Sequence, residues 1–412
     1  MRVLLVTGKG GVGKTTTAAA TAVALARSGR KVLVLSTDPA HSLGDALDAD
    51  LGGEPVEIAP GALPGLYAAH VDTRALLDEA WEPLRAQLAT LLAGAGVEEL
   101  VADELTVLPG VEELLALENV RRASVDGPWE VVVVDCGPTA ETLRLLALPE
   151  AIGGYLERLF PAHRRAVRGV LAGLAGSGAT VARWDSAAES LSRLAEQLAG
   201  LRELLADHHT TTIRVVTTPE RVVAAETRRT LTALALHGLH VDGVVANRLV
   251  PDPGAAPGAA AAWLRSRRAE QDAVLSELGD ALAGSALRVR TAAHQAEEPV
   301  GTDALAALAD GLYGDDDPLV GTTGRPLLAL RRSAGHGVSD DSEFVLELAV
   351  PGIGDGEVEL ARVGDELAVT VDRRRRSVTL PSVLRRCEVV GADLHDDRLA
   401  VVFRPDPAVW MR

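Results

Sequence analysis

One short loop constrains this chain more than any other feature: Gly8-Lys9-Gly10-Gly11-Val12-Gly13-Lys14-Thr15, set between the apolar run Val3–Thr7 and the Ala- and Leu-rich run Thr15–Ser28. A short, nearly all-apolar run is what a strand buried on both faces of a parallel sheet requires. The second run reads as a helix, with Gly29 placed to stop it. Lys31–Ser36 then reads as the next strand, giving a strand-loop-helix-strand unit of the doubly wound α/β kind. In that context G-x-x-x-x-G-K-[ST] is a phosphate loop. The glycines let backbone N–H groups curl around a β-phosphate, and the helix presents its positive end to the same charge.

The roles within the loop follow from reach and charge. Lys14 reaches the β- and γ-phosphates, and the Thr15 hydroxyl ligates Mg²⁺. Gly8, Lys9, Gly10, Gly11, Val12, Gly13, Lys14, Thr15 and Thr16 form the expected nucleotide contacts. Lys9 is not required by the general loop. The chain has three lysines, Lys9, Lys14 and Lys31, among its 41 basic residues, so positive charge is otherwise written as arginine. Arginine is a planar fork and lysine a compact point charge. Two of the three lysines in one loop therefore mark positions where a fork does not fit; the alternative for Lys9 is a solvated loop residue.

Further strands are expected at Glu130–Val134, Ile213–Thr217, Val241–Ala246 and Ala286–Arg290. Val131-Val132-Val133-Val134-Asp135 is an apolar strand ending in an acid, the Walker B arrangement in which Asp135 holds Mg²⁺ through water. Asp38, in Thr37-Asp38-Pro39-Ala40-His41-Ser42, stands at the carboxyl edge where open α/β sheets bind ligands. It is placed to orient a water attacking the γ-phosphate or to cap the following helix, and both readings are open. His41 reads equally as a phosphate contact and as a structural histidine. Asn247 ends another strand, where its amide can read a purine edge. Asn247-Arg248-Leu249-Val250 is not the guanine signature N-K-x-D, so ATP is expected over GTP.

Between the strands, Arg74–Ser124 and Leu143–His208 read as helical insertions forming a subdomain. In the second, Leu191, Leu194, Leu198, Leu201 and Leu205 recur at helical spacing, as core packing or as a client-binding groove. Residues 315–324 read as a linker. Beyond it the hydrophobic period becomes two, at Phe344, Leu346, Leu348 and Val350, then at Leu367, Val369 and Val371, then at Leu399, Val401 and Phe403. Turns rich in Gly, Pro and Asp separate these runs, which indicates a small antiparallel sandwich over residues 325–405. The expected architecture is an α/β, doubly wound P-loop NTPase over residues 1–314 with a helical subdomain, plus a C-terminal all-β sandwich.

Composition narrows function. A formal charge of −17 argues against nucleic acid as a partner, and 47% hydrophobic with 24% charged residues is ordinary globular composition. The first strand begins at Arg2, which leaves no room for a secretory signal, so a cytoplasmic location is expected. Two cysteines, Cys136 and Cys387, are too few for a disulfide framework and read as small buried residues.

Lys9 in the loop, Asp38-Pro39-Ala40-His41-Ser42, and Asp135-Cys136-Gly137-Pro138-Thr139 followed by Thr142-Leu143-Arg144 together resemble the arsenite-pump (ArsA) and tail-anchored-protein-targeting ATPase family. Pro109-Gly110 with Glu112, Pro219-Glu220 with Glu226-Thr227, and Glu298-Pro299-Val300-Gly301 agree with later family segments. The resemblance implies Mg²⁺-dependent ATP hydrolysis by a homodimer that closes on nucleotide. It makes Asp38, Lys9 and Lys14 catalytic, Lys9 by reaching the other subunit's nucleotide and supplying charge in the transition state, and Glu220 and Asn247 nucleotide contacts. A protein client or membrane partner is implied but not identified. No C-x-x-C pair follows Asn247 and three thiolates cannot be assembled, so neither an intersubunit zinc nor an arsenite site is expected. With two methionines, a client groove would be lined by leucine. Glu343–Gly352 and Ala392–Phe403 resemble the small heat-shock β-sandwich appended to some bacterial members, without an I-x-I tail. An adaptor or chaperone gated by nucleotide is the alternative function. Partition ATPases with the same loop rank last, because the C-terminus is β rather than an amphipathic helix.

Overall fold

The computed structural model describes residues 1–38, 42–72, 111–138, 196, 199–201, 203–237, 239–282, 287–319, 328–335, 341–349, 358–371, 374–395 and 398–410. In chain order its first part runs β1 (Arg2–Gly8), α1 (Lys14–Arg27), β2 (Val32–Ser36), α2 (Ser42–Leu47), β3 (Val56–Glu57), β4 (Leu66–His70), α3 (Val111–Asp126) and β5 (Val131–Pro138). It continues with β6 (Thr211–Thr217), α4 (Arg221–Leu236), β7 (Val241–Leu249), α5 (Ala259–Ala281), β8 (Arg288–Ala293) and α6 (Gly301–Tyr313).

These strands form one eight-stranded sheet of order β3-β4-β2-β5-β1-β6-β7-β8, parallel except where the short β3 runs against β4. β1 lies between β5 and β6, so successive strands leave it in opposite directions and open a crevice at its carboxyl end. Leu4, Val6, Val34 and Val133 face a core shared with α1, α2 and α6. Val3, Leu5, Val132 and Val134 face the opposite core, with Leu117 of α3, Leu231 of α4 and Leu278 of α5. Both faces are covered, which is why these strands read as unbroken apolar runs.

β3 and β4 are absent from the expected strands because Leu66-Tyr67-Ala68-Ala69-His70 carries neither a β-branched run nor alternation. Leu201 and Leu205 of the leucine stripe are buried in the second core, so at that end the stripe is packing. Leu191, Leu194 and Leu198, most of both helical stretches, and residues 39–41 and 139–144 lie outside the described residues.

At the acidic end of the expected linker, residues 316–318 bond to side chains of the α/β part. Asp317 pairs with Arg30, Asp316 Oδ2 accepts from Arg290 at 3.2 Å, and the Pro318 carbonyl accepts from buried Arg214 at 2.7 Å. Side-chain pairing turns this acidic run, chosen as a spacer on composition, into the final edge of the α/β part.

Beyond it, β9 (Leu328–Ala334), β10 (Glu343–Ala349), β14 (Cys387–His395) and β15 (Arg398–Pro405) form a four-stranded sheet of order β14-β15-β10-β9. β11 (Val358–Val363), β12 (Glu366–Val371) and β13 (Arg374–Thr379) form a three-stranded antiparallel sheet. Phe344, Leu346 and Phe403 from the first sheet share one core with Leu367 and Val369 from the second. The period-two runs thus become the facing sides of a sandwich.

Candidate functional site

The loop leaves β1 at Gly8 and enters α1 at Lys14, at the switch point of the sheet. Two of its glycines are demanded by neighbours. A Cβ on Gly8 would stand 2.2 Å from the Val216 carbonyl oxygen of the adjacent β6. Gly13 has φ 94°, and a Cβ there would meet Asn247 Nδ2 at 2.2 Å. Among the described residues no side chain caps α1, which leaves its first N–H groups to an anion. Lys14 is buried in the first turn, with Thr15 and Thr16 half-buried behind it.

Thr15 Oγ1 donates to Asp135 Oδ2 at 2.8 Å and lies 3.1 Å from Ser42 Oγ. Ser36, at the end of β2, donates to the same Asp135 oxygen at 3.2 Å and accepts from the Asp38 N–H at 3.3 Å. One chain of hydrogen bonds therefore runs from α1 through the acid of β5 to the residue expected to be catalytic. Asp135 is fully buried, and its Oδ1 has no hydrogen-bond partner among the described residues. Burial pushes its carboxyl up to about 6, against the opposing pull of Thr15 and the Lys14 charge. A buried carboxylate with one oxygen unspent, beside two hydroxyls and an ammonium, is the donor set that a hard divalent cation and a phosphate would complete. Cys136, next in the chain, is buried with its thiol pushed up, which leaves it inert.

The other expected residues lie around this centre. Asn247 Nδ2 donates to the Val12 carbonyl at 2.9 Å, and its Oδ1 accepts the Arg248 N–H at 2.8 Å. Its amide thus braces the loop backbone, with one Nδ2 hydrogen and one Oδ1 lone pair still unspent by these two bonds. Glu220 occupies the N-cap position of α4 without a side-chain cap bond, and its carboxylate lies 3.7 Å from Arg267. Lys9 Nζ lies 3.2 Å from Glu226 Oε2 on α4. Asp38 is half-buried at the sheet edge; His41 lies outside the described residues.

A family model described as an anion-transporting ATPase (ArsA) matches residues 1–314, every strand and helix of this α/β part. The chain belongs to the ArsA ATPase family. A second model, an HSP20-like domain found in ArsA, matches residues 341–403 and so covers most of the sandwich. Protein Rv2184c of Mycobacterium tuberculosis is 39% identical over 99% of this chain and 97% of its own length. A putative arsenical pump-driving ATPase of Prosthecochloris vibrioformis is 34% identical over 98% of this chain and 96% of its own. ATPase GET3 of Podospora anserina is 30% identical over 62% of this chain and 75% of its own. Among the described residues of this ArsA-family chain, no helix is long and apolar enough to cross a membrane.

Three side chains that the structure brings to this candidate site were given no role by the sequence. Ser36 is one apolar-strand residue among several in sequence. Glu226 and Ser42 were visible only as members of longer motifs. Each acquires its role from a partner more than twenty residues away.

Proposed function

We propose that the protein hydrolyses ATP with Mg²⁺ as a homodimer in the cytoplasm, coupling closure and opening on nucleotide to a protein client or transport partner. The observation that carries this reading is the shared Asp135 oxygen, held by Thr15 and Ser36, with the second oxygen left for a cation. When bound, ATP supplies the phosphoryl group to be transferred to water, and Mg²⁺ neutralises charge on its oxygens. Lys14 and the N-terminal amides of α1 bind and orient the phosphates. Thr15 and Asp135 hold the cation, Asp135 through water. Asp38 orients the attacking water and accepts its proton, while Ser36 ties the Asp38 backbone to Asp135. Lys9 acts on the nucleotide of the partner subunit. Asn247 and Glu220 complete the nucleotide pocket, Asn247 by bracing the loop.

Phosphate release from ATP in the presence and absence of Mg²⁺ tests this. Lys14→Ala should lose nucleotide binding, whereas Asp38→Asn should bind and not turn over. Equal single-turnover rates for Asp38→Asn and wild type would remove Asp38 from the mechanism.

The β-sandwich, with its HSP20-like match, favours a second reading in which protein binding is the main activity and nucleotide sets the shape. Client retention by a variant that cannot turn over would support it.

A further inference from the structure

Gln271 lies on α5, away from every motif of the loop, with 3% of its surface exposed. Both ends of its amide are in use. Oε1 accepts the Val250 N–H at 2.7 Å, and Nε2 donates to the Arg248 carbonyl at 3.2 Å. One turn earlier, Arg268 Nη1 donates to the Val250 carbonyl at 3.0 Å. Side chains of one helix therefore hold residues 248–250, the carboxyl end of β7 and the residue that follows it.

That strand end is an unusual piece of backbone, with a register shift against β8 between Ala246 and Leu249. Arg248 has φ 59°, a left-handed conformation that disfavours any residue with a Cβ and persists where the surroundings over-determine it. The carbonyl of this same residue accepts from Gln271 Nε2, and its N–H donates to Asn247 Oδ1. The conformation of Arg248 in turn sets where Asn247 points, and Asn247 is the side chain that bonds the Val12 carbonyl and stands against Gly13. Arg267, on the same helix, reaches towards Glu220 at the loop after β6. α5 is thus a strut behind both carboxyl-edge loops on this side of the phosphate loop.

We propose that Gln271 is a positioning residue for nucleotide binding: by clamping the strand end at 248–250 it aims Asn247 at the phosphate loop and so sets nucleotide affinity. This rests on the reading of the loop as a nucleotide site. The alternative is that Gln271 only satisfies buried backbone groups, which would make it a stability residue with no link to Asn247.

The test is a double-mutant cycle on the full chain, reading binding of the fluorescent nucleotide mant-ADP with Mg²⁺. Gln271→Ala should weaken binding about tenfold, the size of a buried hydrogen bond left unmade. In an Asn247→Ala background the same change should alter binding less than about twofold, because its route to the loop is gone. Gln271→Glu, which keeps the acceptor for Val250 and loses the donor to Arg248, should fall between wild type and Gln271→Ala, and it replaces Gln271→Ala in the cycle if the alanine variant does not fold. Equal fold losses in both backgrounds, or no loss in either, overturn the proposal while wild-type binding upholds the nucleotide site. A wild-type protein that does not bind mant-ADP overturns both.

Discussion

Lys9 Nζ and Glu226 Oε2 are 3.2 Å apart within one chain, with both side chains more than one-third exposed. An exposed pair of this kind contributes less than about 1 kcal/mol, so it holds Lys9 only loosely. Glu226→Gln should change the melting temperature by less than about 2 °C. Mixing Lys9→Ala chains with Asp38→Asn chains then tests where Lys9 acts. Composite sites that combine both lesions leave the opposite site whole, and phosphate release should return. No regained activity, with subunit exchange verified, would assign Lys9 to its own chain.

The Asp135 carboxyl gives a pH signature. Its folded value, about 6, lies above the ordinary 3.8, so between those values the folded nucleotide-free protein binds more protons than the unfolded chain. Its stability therefore falls as pH rises through that window, and the loss is complete above about pH 6. Asp135→Asn should be more stable than wild type near neutral pH by on the order of 2 kcal/mol, with the gain gone near pH 4. Urea denaturation without Mg²⁺ at about pH 7.5 and about pH 4 checks this. A gain of equal size at both would remove titration from the explanation.

Two loop glycines should part company. Gly8 has no room for a Cβ against the Val216 carbonyl, whereas no atom of the described residues lies within 4 Å of a Cβ on Gly10. Gly8→Ala should cost about 2 kcal/mol or more through backbone displacement. Gly10→Ala should leave stability within about 0.5 kcal/mol. Thermal unfolding without nucleotide is the measurement; equal losses would mean that the Gly8 crowding is relieved at no cost.

The boundary of the α/β part is testable by truncation. A chain ending at Leu319 keeps Asp316, Asp317 and the Pro318 carbonyl against Arg290, Arg30 and Arg214; one ending at Gly314 loses all three. The longer chain should bind ATP and hydrolyse it within a few-fold of the whole protein. The shorter should be less stable by about 2 kcal/mol, chiefly from the acceptor lost to buried Arg214. Equal melting temperatures would mean that residues 315–319 are a spacer after all.

Much of this site is readable from the chain because local chemistry writes it. The loop, the helix behind it and the apolar strand ending in Asp135 each carry their signal within a few residues. The sandwich likewise announces itself by its change of period. What could not be read is the meeting of distant side chains. Asn247 reads as an amide at a strand end, but its bond to the Val12 carbonyl depends on β7 standing two strands from β1. Gln271 carries no local signal, because one glutamine on an ordinary helix looks like any other. Arg214 and Asp242 read as polar residues within strands, and only the sheet makes them a buried pair at 2.6 Å.

α6 lies across α1, joined by the Tyr313 and Thr21 hydroxyls at 2.6 Å and by the Arg27–Asp310 ion pair. Because α1 ends at Arg27 and α6 begins at Gly301, synthesis at roughly 5–20 residues per second separates them by on the order of 15–60 s. Throughout that interval the helix bearing the phosphate loop waits on the ribosome with one flank bare. A nascent chain interrupted before Gly301 is therefore more than an unfinished fold. It displays an alanine-rich helix flank to whatever attends the exit tunnel, and completion of the last helix is what withdraws it.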